Sequence, residues 1–132
     1  MIVDTKVVPE FKIAGRMSLR VILDPRLGNY DKATVMAVTI EPGGTTGLHE
    51  HTSDELIYVI SGRGRARLVN GGLAVERDVE EGYVIAVKAG ARHETMNTGN
   101  EPLKLFCIFI PPRTVEGYFA EALKVAKGTV NT

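Results

Sequence analysis

The sequence predicts an all-β, antiparallel fold with one short helix near its C-terminal end, and three observations predict it. Apolar runs are short and bounded by turn residues. Glycine and proline, at fourteen and six in 132 residues, are frequent enough to punctuate every such run. The hydrophobic spacing changes character only after Pro111-Pro112. Many short strands separated by turn signals read as a sandwich or a barrel.

The expected strands are Arg16 to Leu23, Thr34 to Ile40, Leu56 to Ile60, Ala66 to Val69, Tyr83 to Val87 and Leu103 to Ile110. Between them lie Gly28-Asn29, Pro42-Gly43-Gly44, Ser61-Gly62, Asn70-Gly71-Gly72, Glu81-Gly82 and Gly99-Asn100. Asn70-Gly71 marks a tight hairpin, because both residues tolerate positive φ. Leu103 to Ile110 is apolar almost throughout, which predicts burial on both faces. A further strand around Lys6 to Ile13 could add to a sheet edge. Beyond the prolines, Val115, Phe119, Ala122, Leu123 and Ala126 repeat at helical spacing, with Thr114 as the expected cap and Gly128 as the stop.

The length fits one domain over residues 1–132 with a real core. Sixteen basic and sixteen acidic residues cancel, which argues against nucleic acid as a partner. The lone cysteine, Cys107, cannot form an internal disulfide. It falls in an apolar strand and is expected to be inert packing. The opening MIVDTKVVPEF lacks the features of a signal peptide, and no apolar run approaches the roughly 20 residues that span a bilayer. A cytoplasmic protein with no membrane partner is the expectation.

His49-Glu50-His51 carries the strongest chemical signal. On a strand, residues i and i+2 share a face, so the two imidazoles would form a two-point metal clamp. Glu55 follows four residues after His51, and Thr52-Ser53-Asp54 can turn its strand back beside the first. Alternation from Glu55 sends Ile57 and Val59 inward and Leu56, Tyr58 and Ile60 outward. His93 is placed on a later strand. All three histidines of the chain therefore fall in this constellation.

These segments resemble the cupin family. Gly43-x5-His49-x-His51-x3-Glu55-x6-Gly62 agrees with the first cupin motif at every fixed position. Gly82-x5-Lys88-x-Gly90-x2-His93-x3-Asn97 is similar to the second, with Lys88 in place of the usual proline. That departure bears on turn rigidity, since proline fixes φ, and not on ligation. Nineteen residues separate Gly62 from Gly82, a short gap like that of small microbial cupins. The resemblance implies a cupin-type antiparallel jelly-roll barrel with a metal held by His49, His51, Glu55 and His93.

Three imidazoles and a carboxylate, without thiolate, suit Mn(II), Fe(II), Co(II), Ni(II) or Zn(II) better than Ca(II) or Mg(II). Four protein ligands leave two octahedral positions for a bidentate acid such as oxalate, or for dioxygen. The short form is similar to oxalate-decarboxylase-like cupins, which makes Mn(II) the favoured ion. In those proteins an arginine three residues ahead of the HxH pair polarises the substrate, and a lid glutamate moves the proton. Here Thr46 stands at the arginine's place. Glu116 is the candidate glutamate by location, although an acidic residue in a first helical turn has a structural explanation too. The competing readings are a non-catalytic metal or ligand sensor, a dioxygenase and a sugar-phosphate isomerase.

Arg63, Arg65 and Arg67 alternate with Gly64, Ala66 and Leu68. If the latter face the barrel, the arginines form an outward basic row. A homodimer is expected, because Leu56, Tyr58 and Ile60 would otherwise face water as one apolar patch.

Overall fold

The computed structural model describes residues 1–130. Nine strands run in the order β1 (Phe11–Ile13), β2 (Met17–Leu23), β3 (Thr34–Ile40), β4 (Asp54–Ser61), β5 (Arg63–Asn70), β6 (Leu73–Glu80), β7 (Val84–Val87), β8 (Arg92–Asn97) and β9 (Leu103–Ile110), followed by helix α1 (Gly117–Val130). Short 3-10 turns cover Thr5–Val7 and Pro25–Leu27. All pairings are antiparallel. One sheet has the order β1-β2-β3-β9-β4-β7 and the other β6-β5-β8. The result is a jelly roll, the fold class the sequence predicts.

The inward faces meet in one core. Leu19 and Val21 of β2, Ile40 of β3, Val59 of β4, and Leu105 and Phe109 of β9 are almost fully buried in it. Period-two alternation puts Glu55, Ile57 and Val59 inside and Leu56, Tyr58 and Ile60 outside, as expected. Strand β9 departs from expectation. Its Leu103, Leu105, Cys107 and Phe109 face is buried, but Phe106 and Ile108 on the other face are only half-buried.

Strand β6 was not foreseen, for a physical reason. Of its eight residues only Val79 is buried, and Arg77 breaks the apolar row that Leu73, Val75 and Val79 make opposite Glu76, Asp78 and Glu80. The Asn70↔Leu73 register leaves Gly71-Gly72 as the hairpin loop, with Gly71 at φ +62. Arg65 crosses to Asp78 at 2.9 Å and to Glu76 at 3.4 Å, while Ala66 is buried, so the arginine row faces outward. Such exposed pairs contribute little, because water and salt screen them. The N-terminal expectation is trimmed: only Phe11–Ile13 of the Lys6 to Ile13 stretch is strand.

The helix also differs from its expected bounds. It starts at Gly117 and runs through Gly128 to Val130. Thr114 does not cap it, because its hydroxyl meets that of Thr52 at 3.1 Å. Val115 and Glu116 precede the helix. Gly128 is exposed near the end, where its intrinsic cost of about 1 kcal/mol against alanine is tolerated. Phe119, Ala122, Leu123 and Ala126 form the buried stripe, packed on β1, β2 and the Pro25–Leu27 turn.

Two motif positions have structural explanations. Gly62 has φ +90, and a Cβ there would meet the Pro102 carbonyl oxygen at 2.6 Å. Buried Asn97 donates from Nδ2 to the Ile40 and Glu101 carbonyls at 2.8 Å each, and its Oδ1 accepts from Gly99 N at 2.9 Å. It clamps the end of the barrel away from the histidines.

Candidate metal centre

Glu55 enters from β4 of the larger sheet and His93 from β8 of the smaller one. His49 and His51 come from the segment between β3 and β4. That segment is not the strand expected for an HxH clamp. It runs beside β8 through two isolated bridges, Thr45↔Met96 and His49↔His93, and β4 does not fold back beside it. The two imidazoles nevertheless reach the same side, with ring centroids 4.8 Å apart. His93 lies 4.1 Å from His49 and 5.4 Å from His51 by the same measure.

The four side chains offer ligand atoms that all lie within 4.8 Å of one another. With metal–ligand distances of about 2.0–2.2 Å, opposite donors sit roughly 4 Å apart, so the cluster needs to close by less than 1 Å. Three nitrogens and one oxygen fit a borderline divalent ion. The residues present could hold such a metal.

Outer contacts orient the rings. Nδ1 of His49 lies 2.8 Å from the Gly47 carbonyl, and Nδ1 of His93 lies 3.2 Å from that of Ala91. A carbonyl only accepts, so each Nδ1 carries the proton and leaves Nε2 as the lone-pair donor. Nε2 of His93 is 2.9 Å from Glu55 Oε1, and Nε2 of His51 is 3.7 Å from the same oxygen. The shorter contact sets two prospective ligand atoms side by side, where a cation between them would be shared by both.

Burial, and next the Arg113 guanidinium, push His51 down to about 3. Burial also lowers His49, against the pull of its Gly47 hydrogen bond. Both imidazoles are thus neutral at physiological pH, the form a metal requires. Burial drives the Cys107 thiol well above its ordinary value, with Glu55 adding to the effect. The thiol is inert, as expected, although it lines the cavity beside the cluster.

That cavity has a volume of about 30 Å³ and is walled by Ile57, Leu105, Phe109 and Arg113 besides the cluster. It holds little more than an ion and a few atoms. Outside it lies a mouth of about 350 Å³, lined by Thr46, Glu50, Arg113, Glu116 and Tyr118 together with His49 and His51. Glu116 is exposed and flanks the helix instead of lying in its first turn, which places it at this mouth. A larger concavity, about 840 Å³, is an open cleft by Gly62, Glu80 and Glu101, and the metal-ligand cluster is not in it. Sequence reasoning missed Arg113. Its only advance signal is a cation directly after an apolar strand and close to Tyr118-Phe119.

Residues 36–109 match the Cupin domain family. The chain belongs to the cupin family. A relative from Methanocaldococcus jannaschii, an uncharacterized protein, is 32% identical over 74% of this chain and 76% of its own length. The L-ectoine synthase of Bordetella petrii is 34% identical over 58% of this chain and 55% of its own, so this cupin spans about half of that enzyme. Among solved structures, a predicted oxalate decarboxylase from Thermotoga maritima superposes with a TM-score of 0.72 at 24% identity, covering 84% of this chain and 99% of that one. The Bacillus subtilis oxalate decarboxylase, studied for its Mn(II) centres, gives 0.72 at 19% identity over 81% of this chain and 28% of that one. At these identities the structural matches speak for the fold. No helix among the described residues is long and apolar enough to cross a membrane.

Proposed function

We propose that this cupin is a metal-dependent enzyme acting on a small organic acid, of the oxalate decarboxylase type. His49, His51, Glu55 and His93 hold one divalent ion in this reading, with Mn(II) first among the candidates. The observation that carries it is the convergence of these four side chains on a cavity of about 30 Å³. Such a space favours a compact acid over a sugar phosphate. Mn(II) is supported by the donor set and by the manganese centres of the Bacillus subtilis enzyme.

When bound, the ion supplies Lewis acidity to a coordinated carboxylate. The chain's own residues supply the rest. Breaking the C–C bond of oxalate releases one carbon dioxide and leaves the electron pair on the other carbon. Glu116, at the mouth beside His49 and His51, would deliver the proton that turns this carbon into formate. Tyr118 and Arg113 wall the mouth against bulk water.

Mn(II)-loaded protein supplied with oxalate is expected to yield formate. Glu116→Gln should lower that rate by roughly 100-fold or more at unchanged metal content. Fully loaded protein that consumes neither oxalate nor any related acid would overturn the enzymatic reading in favour of a sensor.

A second copy of the chain is proposed to cover the outer face of the larger sheet. Leu56, Tyr58 and Ile60 are 39%, 47% and 42% exposed, and Val84 pairs beside Tyr58. Light scattering at micromolar concentration should give twice the monomer mass for the native chain and the monomer mass for Tyr58→Glu. A native monomer would contradict the dimer.

A further inference from the structure

Arg113 is only 5% exposed, yet it forms no ion pair with any carboxylate among the described residues. Its Nε has no hydrogen-bond partner, and Nη1 meets only Met36 Sδ, at 3.9 Å. A guanidinium has five N–H donors, and a buried charge without a counter-charge is strongly unfavourable. Such a group persists where something else uses it.

The surroundings hold this side chain in place while engaging only Nη1, on Met36 Sδ. Its Cζ lies 5.3 Å from the Phe109 ring centroid, 5.2 Å from Tyr118 and 4.8 Å from Phe119. Aromatic faces attract the cation and leave the N–H edge free. The backbone is fixed as firmly. Arg113 N donates to Thr34 Oγ1 at 2.9 Å, and the Arg113 carbonyl accepts from Arg26 Nη2 at 2.6 Å. Thr34 in turn donates to fully buried Asp24 at 2.7 Å. This network, anchored on the Asp24 carboxylate, sets the position of the residue from behind.

In front of it is the metal-ligand cluster. Arg113 lines both the inner cavity and its mouth, and His51 stacks edge-on against the same Phe109 ring, 5.0 Å away. Its positive charge is also one of the influences that keep His49 and His51 neutral. Thr46, at the position ahead of the HxH pair, is committed elsewhere. Its hydroxyl donates to the Gly47 carbonyl and accepts from Thr95 N, each at 3.0 Å.

We propose that Arg113 is the anion anchor of this site, binding one carboxylate of a small dicarboxylate whose other end faces the His49–His51–Glu55–His93 cluster. The inference rests on the metal-centre reading. With a divalent ion in place, Glu55 offsets one positive charge and Arg113 adds one. The pocket is left with two, which a dianion neutralises. A planar guanidinium matches a carboxylate in two parallel hydrogen bonds, so the anchor also orients the ligand.

The test is calorimetric titration of oxalate into Mn(II)-loaded native protein, Arg113→Met and Arg113→Lys, with imidazole as a neutral ligand for the metal. Metal content is measured on the same samples. Arg113→Met is expected to keep its metal and its imidazole affinity, and to bind oxalate at least about tenfold more weakly. Arg113→Lys should recover part of the loss. Equal oxalate affinity in native protein and Arg113→Met, at full metal content, overturns the anchor and leaves the metal centre standing. A parallel loss for oxalate and imidazole overturns it too, since it marks a merely structural role. Native protein that takes up no metal defeats the metal centre, and the anchor falls with it.

Discussion

His49→Ala is expected to lower the affinity for a divalent metal by more than about 100-fold, because removal of even an outer-shell partner of a ligand typically costs 10–100-fold. His49 is the cleanest of the four ligands to remove. It is half-buried, and its one side-chain hydrogen bond is local, to Gly47. His93 is a poorer choice, since its loss would also strip Glu55 of its 2.9 Å partner. Glu55→Gln keeps the shape of the carboxylate while removing its charge, and should weaken binding to a similar extent. Competition against a chromophoric chelator measures both variants, with circular dichroism as the control for folding. Native-like affinity in both would show that the cluster is not the metal centre.

Phe119→Ala is expected to destabilise the protein by about 3–5 kcal/mol, the usual cost of emptying a buried aromatic position. That corresponds to roughly 10–20 °C in melting temperature for a chain of this size. Phe119 is fully buried where α1 meets the sheet. It also supports the Arg113 guanidinium at 4.8 Å, so the loss should reach the site as well as the fold. Thermal denaturation followed by circular dichroism reads the effect. A loss under about 1 kcal/mol would mean that α1 contributes little to holding the barrel together.

The parts of this protein that were legible beforehand are those where spacing is itself the cause of the geometry. His49, His51, Glu55 and His93 could be named because their spacing matches that of the two cupin motifs. Ile57 and Val59 could be turned inward because period two leaves no alternative once Glu55 faces in. Strand β6 was harder to read because Arg77 interrupts the apolar row of Leu73, Val75 and Val79, of which only Val79 is buried. The start of α1 was misread because Thr114, a good cap by type, faces Thr52 instead. Arg113 escaped notice for a different reason. Its placement depends on Thr34, Arg26 and three aromatic rings, and the partners near it along the chain, Phe109, Tyr118 and Phe119, give no hint of the distant ones. Sequence reading looked for an arginine before the histidines, whereas the fold brings one in from beyond β9.

The isolated bridges that join the HxH segment to β8 give the barrel an asymmetry of construction. At the Asn97 end the walls are riveted by three side-chain hydrogen bonds that need no ion. At the opposite end Glu55 belongs to one sheet, His93 to the other, and the HxH segment to neither. A bound ion would stitch all three together, acting as a clasp that adds Glu55 to the main-chain bonds already joining His49 to His93 and His51 to Gly90. Amide exchange should then slow on metal loading along Gly47–His51 and Arg92–Glu94, while the Asn97 end stays as protected as before.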